Sequence, residues 1–273
     1  MKQIIVPTDF SKGAWNALLF ATKLGEAFDV GEIMVLNAYQ APHAGAATLV
    51  SIDRIMQQDS EDGLSKLTNK IKESGLSSRF NFISKSVHSG LVEAINSQIT
   101  GYNGNLVVMG TQGETGAVEK LFGSNASDVA MSAKCPVIVI PPQADYQGFH
   151  NIALASDYDK LDASNLKVLN TINSMDPATK LRIVHVQWGD AAPASKAFMG
   201  IRQEDLPHEL VEISSGDKVS DALDEYASSN KLDLLIIIKK DIGFFESLFH
   251  HSVTKRLTML GHVPLLVLKR ADS

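Results

Sequence analysis

Residues 106–124 read LVVMGTQGETGAVEKLFGS, a short apolar run followed at once by a stretch rich in glycine. An apolar run of this length is typical of a parallel strand that is buried on both faces. Glycine lets the backbone approach a ligand closely, and the amides and dipole at a helix start favour an anion. The stretch therefore predicts a strand, a phosphate-binding loop and a helix, although a glycine-rich turn without a ligand stays open as the alternative.

The loop differs from two well-known nucleotide motifs. No Gly-Lys-Ser/Thr follows it, as a P-loop requires, and its glycines do not follow the GxGxxG spacing of dinucleotide-binding folds. Ser124 can either donate a hydrogen bond to a phosphate oxygen or cap the helix.

The chain repeats itself at a period far longer than that of a solenoid. Four apolar runs of the first half recur in the second half, and the smaller displacement of the later pairs makes the second copy shorter in its middle. The matched runs are 4–9 with 152–157 and 33–38 with 181–186, both displaced by 148, and 106–109 with 234–237 and 135–140 with 263–268, both displaced by 128.

Each half alternates apolar runs with segments of helical period, which predicts βαβ units and a five-stranded parallel sheet. The Pro141–Gly148 stretch resembles a linker, so we expect domains at 1–142 and 149–273. The expected strands lie near 3–7, 32–38, 80–87, 105–110 and 136–140, then near 150–155, 181–186, 209–213, 233–238 and 264–268; the expected helices of the first half lie near 12–28, 50–74, 90–100 and 123–133.

Composition excludes several classes of protein. The net charge of −6 and the lack of a dense basic run argue against nucleic acid and anionic membranes as partners. The sequence contains no apolar stretch long enough for a membrane helix, and its start does not resemble a signal peptide, so we expect a cytoplasmic protein. A single cysteine, Cys135, cannot form an internal disulfide, and its place before a proline and a buried strand indicates an inert core residue.

Three segments together resemble the universal stress protein family. They are the spacing Gly110-x2-Gly113-x9-Gly123-Ser124, the run Val6-Pro7-Thr8-Asp9-x-Ser11 after the first strand, and Cys135-Pro136-Val137 before the last. The similarity covers the chain as a tandem pair. It implies two doubly wound sheets of the adenine nucleotide alpha hydrolase-like kind, with ATP or a related adenine nucleotide at the carboxyl ends of the strands.

The resemblance also implies roles for individual residues. Asp9 would accept a hydrogen bond from a ribose hydroxyl, although an Asx-turn shared with Ser11 is an alternative. Met109 would pack near the base or sugar, or belong to the ordinary core. The full implied set comprises Pro7, Thr8, Asp9, Asn37 or Ala38, and Met109 around the adenine and ribose, with Gly110, Gly113, Gly123, Ser124 and Asn125 around the phosphates.

Two kinds of departure from the family pattern bear on affinity. Gln112 and Glu114 stand where many nucleotide-binding members have a basic or imidazole side chain, which favours weak binding or a preference for AMP or ADP. Lys120 could compensate in charge, but its position favours a solvated lysine on the side of a helix. The second copy has lost the motif. Its counterparts of Gly110, Gly113 and Gly123 are Ile238, Asp241 and His251; Ser252 and Asp157 match Ser124 and Asp9.

We therefore expect a regulatory module of the stress response that binds ATP, ADP or AMP, with or without Mg²⁺, in its first domain. A slow ATP hydrolase and a scaffold with a decayed site are the alternatives; no general base, arginine clamp or metal carboxylate pair is evident. His250 and His251 are neighbours about 100° apart on a helix and do not indicate a metal site. The two last strands are expected to pair within the chain as a pseudo-dimer, and a homodimer is a further option.

Overall fold

The structure is a computed structural model in which the described residues form two compact units, one up to Val137 and one from Ile138 onward. The described ranges are 1–40, 46–111, 124–156, 161–188, 202–215, 219–239 and 263–269; within them, side chains are not described for 46–51, 188 and 215.

The first half of the chain forms a parallel sheet with the strand order β3-β2-β1-β4-β5. Apolar runs form β1, β2, β4 and β5, and β1 pairs with both β2 and β4 in parallel. This order reverses direction between β1 and β4, which is the topological switch of a doubly wound fold. The strands are β1 (Gln3–Pro7), β2 (Glu32–Tyr39), β3 (Asn81–His88), β4 (Asn105–Gly110) and β5 (Val137–Ile140).

Four α-helices connect these strands. Right-handed crossovers place α1 and α2 on one face of the sheet and α3 on the other. Accordingly α1 packs on β1 and β4, α2 packs on β2 and β3, and α3 packs on β1 and β2 and against α4. The helices are α1 (Lys12–Ala27), α2 (Ala46–Glu73), α3 (Leu91–Gln98) and α4 (Ser124–Ser132), with a short 3-10 turn at Leu76–Ser78.

The second unit repeats this arrangement with the strand order β10-β9-β6-β7-β8. Among its helices, α6 packs on β7 and β8. The elements are β6 (Asn151–Ala155), α5 (Ala163–Asn173), β7 (Lys180–Trp188), β8 (Glu209–Ser215), α6 (Val219–Ser229), β9 (Leu234–Lys239) and β10 (Leu265–Lys269).

Strand register supports the repeat residue by residue. Ile4 pairs with Ile33 and with Leu106 in the first unit. Ile152 pairs with Leu181 and with Leu234 in the second. These are the residues that the displacements of 148 and 128 align, so the two sheets share one register. The predicted fold class, two tandem doubly wound five-stranded parallel sheets, is confirmed.

The core of each unit lies in its central strands, and burial decreases at the periphery. Ile4, Val107 and Ile236 are fully buried, whereas β3 exposes part of its length because it is the outermost strand of its sheet. Ile55 of α2 belongs to the apolar pattern of its helix but is 59% exposed. Cys135 is buried, as expected of a core residue.

The Pro141–Gly148 stretch contains neither helix nor strand. The domain limits at 142 and 149 stay predictions, because the two units divide earlier, within β5. Across the part of the chain that the structure describes, no helix combines the length and the apolar character needed to cross a membrane.

Candidate functional site

The carboxyl ends of β1, β2 and β4 meet at one edge of the first sheet. Pro7 ends β1 opposite Leu36 of β2, and the β1–β4 register that pairs Ile5 with Val107 brings the end of β4 to the same level. Since this is the topological switch, it is the position at which doubly wound sheets bind ligands.

Thr8 and Asn37 are joined directly at this edge. The Thr8 amide donates to the Leu36 carbonyl over 2.8 Å and so extends the β1–β2 ladder by one residue. The Asn37 side-chain amide donates to the Thr8 carbonyl over 2.7 Å. The Thr8 hydroxyl accepts a hydrogen bond from the Phe10 amide. These bonds fix the turn between β1 and α1, with Ala38 next in β2.

Asp9 lies exposed in that turn, and one of its carboxylate oxygens accepts the Ser11 amide over 3.1 Å. Ser11 in turn caps α1, since its hydroxyl accepts the Ala14 amide. The Asx-turn alternative is therefore observed. It leaves the carboxylate on the solvent side of the turn, so the structural role does not remove Asp9 from the reach of a ligand.

At the carboxyl end of β4, a buried apolar residue is followed by a residue with a polar side chain. Met109 is buried, which agrees with the core alternative for its side chain, and Gly110 is half-buried. Thr111 follows and is only 2% exposed, yet its hydroxyl oxygen has no hydrogen-bond partner among the described residues. A buried hydroxyl without a partner is costly, so it marks a place where a polar group fits.

Ser124 and Asn125 begin α4 and are exposed. Asn125 lines a cavity of about 370 Å³ between α3 and α4, together with Leu91, Val92, Glu93, Asp128 and Ser132. Two of these side chains carry carboxylates, which disfavours an uncompensated phosphate chain at this wall.

Other predicted residues fall outside the described ranges. In the first domain these are Gly113 and Gly123, together with Gln112, Glu114 and Lys120.

In the second unit, the structure describes one counterpart of the glycines of the first-unit loop, namely Ile238 in place of Gly110. Ile238 pairs with Leu268 near the end of β9, at the level that Gly110 has in β4, and its side chain is half-buried. Asp157, Asp241, His250, His251 and Ser252 lie outside the described residues.

Sequence reasoning missed a second group at the same edge of the first sheet. Tyr39 ends β2 and His88 ends β3, and their rings stack at 5.2 Å with an interplanar angle of 15°. His88 Nε2 lies 2.9 Å from Asp53 Oδ1 of α2. Desolvation, and after it the charges of Asp53 and Glu61, raise the pKa of Tyr39. The sequence could have indicated this pair by position, because Tyr39 and His88 are each the last residue of a strand.

Thr111 was also missed. It stood in the quoted loop, but only its burial in the folded unit shows that its hydroxyl lacks a protein partner.

A sequence profile described as the universal stress protein family matches residues 1–141. The chain belongs to the universal stress protein family. The resemblance seen in its glycine spacing is thereby confirmed.

Related proteins of this family share both sequence and fold. The universal stress protein MJ0531 of Methanocaldococcus jannaschii is 27% identical over 142 residues, which cover 51% of this chain and 81% of that protein. A universal stress protein from Archaeoglobus fulgidus superimposes with a TM-score of 0.69 at 19% identity, covering 99% of this chain and 97% of that one. A putative universal stress protein from Pseudomonas aeruginosa gives 0.56 at 12% identity, covering 99% and 94%. Two structures that match nearly end to end show that the tandem fold is shared.

Proposed function

We propose that this universal stress protein binds an adenine nucleotide at the carboxyl edge of its first sheet and acts as a regulatory protein of the stress response. The ligand is ATP, ADP or AMP, and the binding residues are those that the family resemblance implies, with Thr111 added. Chemistry on the nucleotide is not part of the proposal.

One observation carries the proposal: at the switch between β1 and β4, an exposed carboxylate and a buried hydroxyl without a described partner follow adjacent strands. Asp9 offers an acceptor for ribose hydroxyls. Thr111 has a buried hydroxyl that no described residue uses as a hydrogen-bond partner. This combination fits a ligand with hydroxyls at one end and anionic oxygens at the other.

The carboxylates near α4 bear on the choice of nucleotide. Glu93 and Asp128 line the cavity that Asn125 shares. Like charges there disfavour a triphosphate more than a monophosphate, and a divalent cation between carboxylates and phosphates would reverse that preference. If Mg²⁺ is used, these two carboxylates are the groups that would hold it or its water.

The experiment starts with the purified protein. One sample is denatured, and its supernatant is chromatographed for released nucleotide. A second, folded sample that has been freed of nucleotide is titrated calorimetrically with ATP, ADP and AMP, each with and without Mg²⁺. We expect binding of at least one of the three. Asp9→Ala should weaken it about tenfold or more, because a hydrogen bond to a charged group contributes about 1.5–3 kcal/mol.

The matched control is Asp29→Ala, which removes an equivalent charge from the turn at the far end of α1 and should leave affinity unchanged. Gly113→Val and Gly123→Val test the loop. Wild-type binding that is undetectable, or equal to that of these glycine variants, would favour the scaffold alternative instead.

Three further expectations stay predictions: a cytoplasmic location, the pairing of the two halves through their last strands, and a homodimer. Size-exclusion chromatography with light scattering tests the last of these directly.

A further inference from the structure

A second cavity, of about 460 Å³, opens in the first unit between α1 and α2. It lies on the sheet face that carries α1 and α2, whereas α3, which packs against α4, lies on the other. Of the residues implied for the nucleotide, only Thr8 also lines this cleft. Its size is within the range of small-molecule sites.

The floor of the cleft is apolar. It consists of Val6 of β1 and Val35 of β2, flanked by Leu18 of α1 and Leu67 of α2. Val6, Val35 and Leu18 are at most 1% exposed, so the floor is closed. A ligand with an apolar body would therefore lie on this floor and contact the more accessible side chains of Leu67, Phe10 and Trp15.

Two aromatic residues bound the cleft at its ends. Phe10 lies at the carboxyl edge of the sheet with its ring against Gly63 of α2, where a Cβ would collide with it. Phe10 adopts φ 65°, a left-handed conformation that non-glycine residues avoid, and it is 41% exposed. At the other end, the Lys70 ammonium lies 3.7 Å from the centre of the Trp15 ring. These contacts join α1 and the turn before it to α2.

The cleft carries opposite charges at its two ends. Asp59 and Asp62 line it beside Gly63, the residue that Phe10 contacts, and Lys66 and Lys70 line it toward Trp15. All four side chains are exposed. Asp62 accepts a hydrogen bond from Gln58, and neither lysine has a carboxylate within 4.0 Å among the described residues. The acidic pair and the basic pair are separated by about two helical turns, roughly 11 Å of rise.

We propose that this cleft binds a short apolar peptide with both termini free. Its amino group would lie at Asp59 and Asp62, its carboxylate at Lys66 and Lys70, and its side chains on the apolar floor. About three extended residues span roughly 10–11 Å, which matches the separation of the two charged pairs. The hydroxyls of Thr8 and Ser11 offer polar contacts for its backbone.

The probe is the tripeptide Leu-Ala-Leu, compared with its N-acetyl and its C-amide forms by calorimetry on the full chain. We expect the free tripeptide to bind and each blocked form to bind at least tenfold more weakly. Methyl NMR should show the resonances of Leu67, the partly exposed leucine of the cleft, shifting upon saturation, which locates the ligand. Absence of binding, or shifts confined to other methyl groups, would overturn the proposal.

Two paired variants assign the ends of the peptide. The Lys66→Gln, Lys70→Gln protein should lose about tenfold in affinity for the free peptide but nothing further for the C-amide. The Asp59→Asn, Asp62→Asn protein should show the same pattern with the N-acetyl form. Lys72→Gln is the matched control, because Lys72 is exposed on the same helix outside the cleft. Equal affinity for all three peptide forms would also contradict the assignment, and nucleotide binding serves as an independent readout.

Discussion

At the scale of single residues, the informative groups are those whose burial conflicts with their polarity. Thr111 is the clearest case, since its hydroxyl is buried at the end of β4 without a partner among the described residues. Tyr146 is a second case. Burial, and after it the charge of Asp176, raises its pKa to about 12.

Thr111→Val should have opposite effects on stability and on binding. The change keeps the shape but removes the buried hydroxyl, so the free energy of unfolding without ligand should rise by up to about 1 kcal/mol. The same change should weaken nucleotide binding about three- to tenfold, since a ligand hydrogen bond is lost. Urea unfolding and calorimetry measure the two quantities. A loss of stability would indicate that the hydroxyl already has a protein partner.

Tyr146 should titrate well above the ordinary tyrosine pKa of 10.0 in a folded chain. Its folded pKa lies above the unfolded value of 10.0, so the neutral phenol is favoured by folding. Its contribution to stability is complete below pH 10 and is lost as the pH rises toward about 12. Absorbance at alkaline pH should lose a step near pH 12 in Tyr146→Phe, whereas Tyr102→Phe serves as the comparison. A step near pH 12 that persists in Tyr146→Phe would contradict the assignment.

At the scale of elements, α1 and α6 end in the same way. The Val30 amide donates to the Gly25 carbonyl and the Asp29 amide to the Glu26 carbonyl; Leu232 and Lys231 repeat this pair with Ala227 and Ser228. Both are Schellman motifs, which favour glycine at the left-handed position. Here that position holds Asp29 with φ 52° and Lys231 with φ 49°.

Lys231→Gly should therefore raise the free energy of unfolding by about 1 kcal/mol, because glycine adopts the left-handed conformation without a Cβ penalty. Lys231→Ala removes the same side chain but keeps the Cβ, so it should bring no gain. Urea unfolding of both variants gives the comparison. Equal stability of the glycine and alanine variants would show that the backbone conformation is not the cause.

At the scale of the whole molecule, the two sheets have the same strand register but differ in a residue at the carboxyl ends of their strands. The first has Gly110 at the end of β4, and the second has Ile238, a residue with a large side chain, at the same level of β9. The two sheets therefore share their strand register and differ in side-chain bulk at this position.

One nucleotide should bind per chain. Calorimetric titration with the nucleotide that binds most tightly is expected to give a stoichiometry close to one, and Asp9→Ala should abolish or weaken that single event. Two events, or one event that survives Asp9→Ala unchanged, would place a ligand in the second unit.

The sequence by itself determined the fold and its duplication. Runs such as 106–109 and 234–237 are apolar because parallel strands are buried on both faces, and this constraint is local enough to be seen without coordinates. The glycine spacing and the Val6–Ser11 turn determined the family for the same reason, since each depends on neighbouring residues.

Only the tertiary structure decided which polar groups contact one another and which buried polar groups lack a described hydrogen-bond partner. The bond from Asn37 to Thr8 joins residues 29 positions apart, and His88 meets Asp53 across 35. The cleft between α1 and α2 is bounded by contacts of Phe10 with Gly63 and of Trp15 with Lys70, residues that are distant in sequence. Burial and contact are properties of packing between segments, so no local pattern could have shown the buried hydroxyl of Thr111 or the charged ends of the cleft.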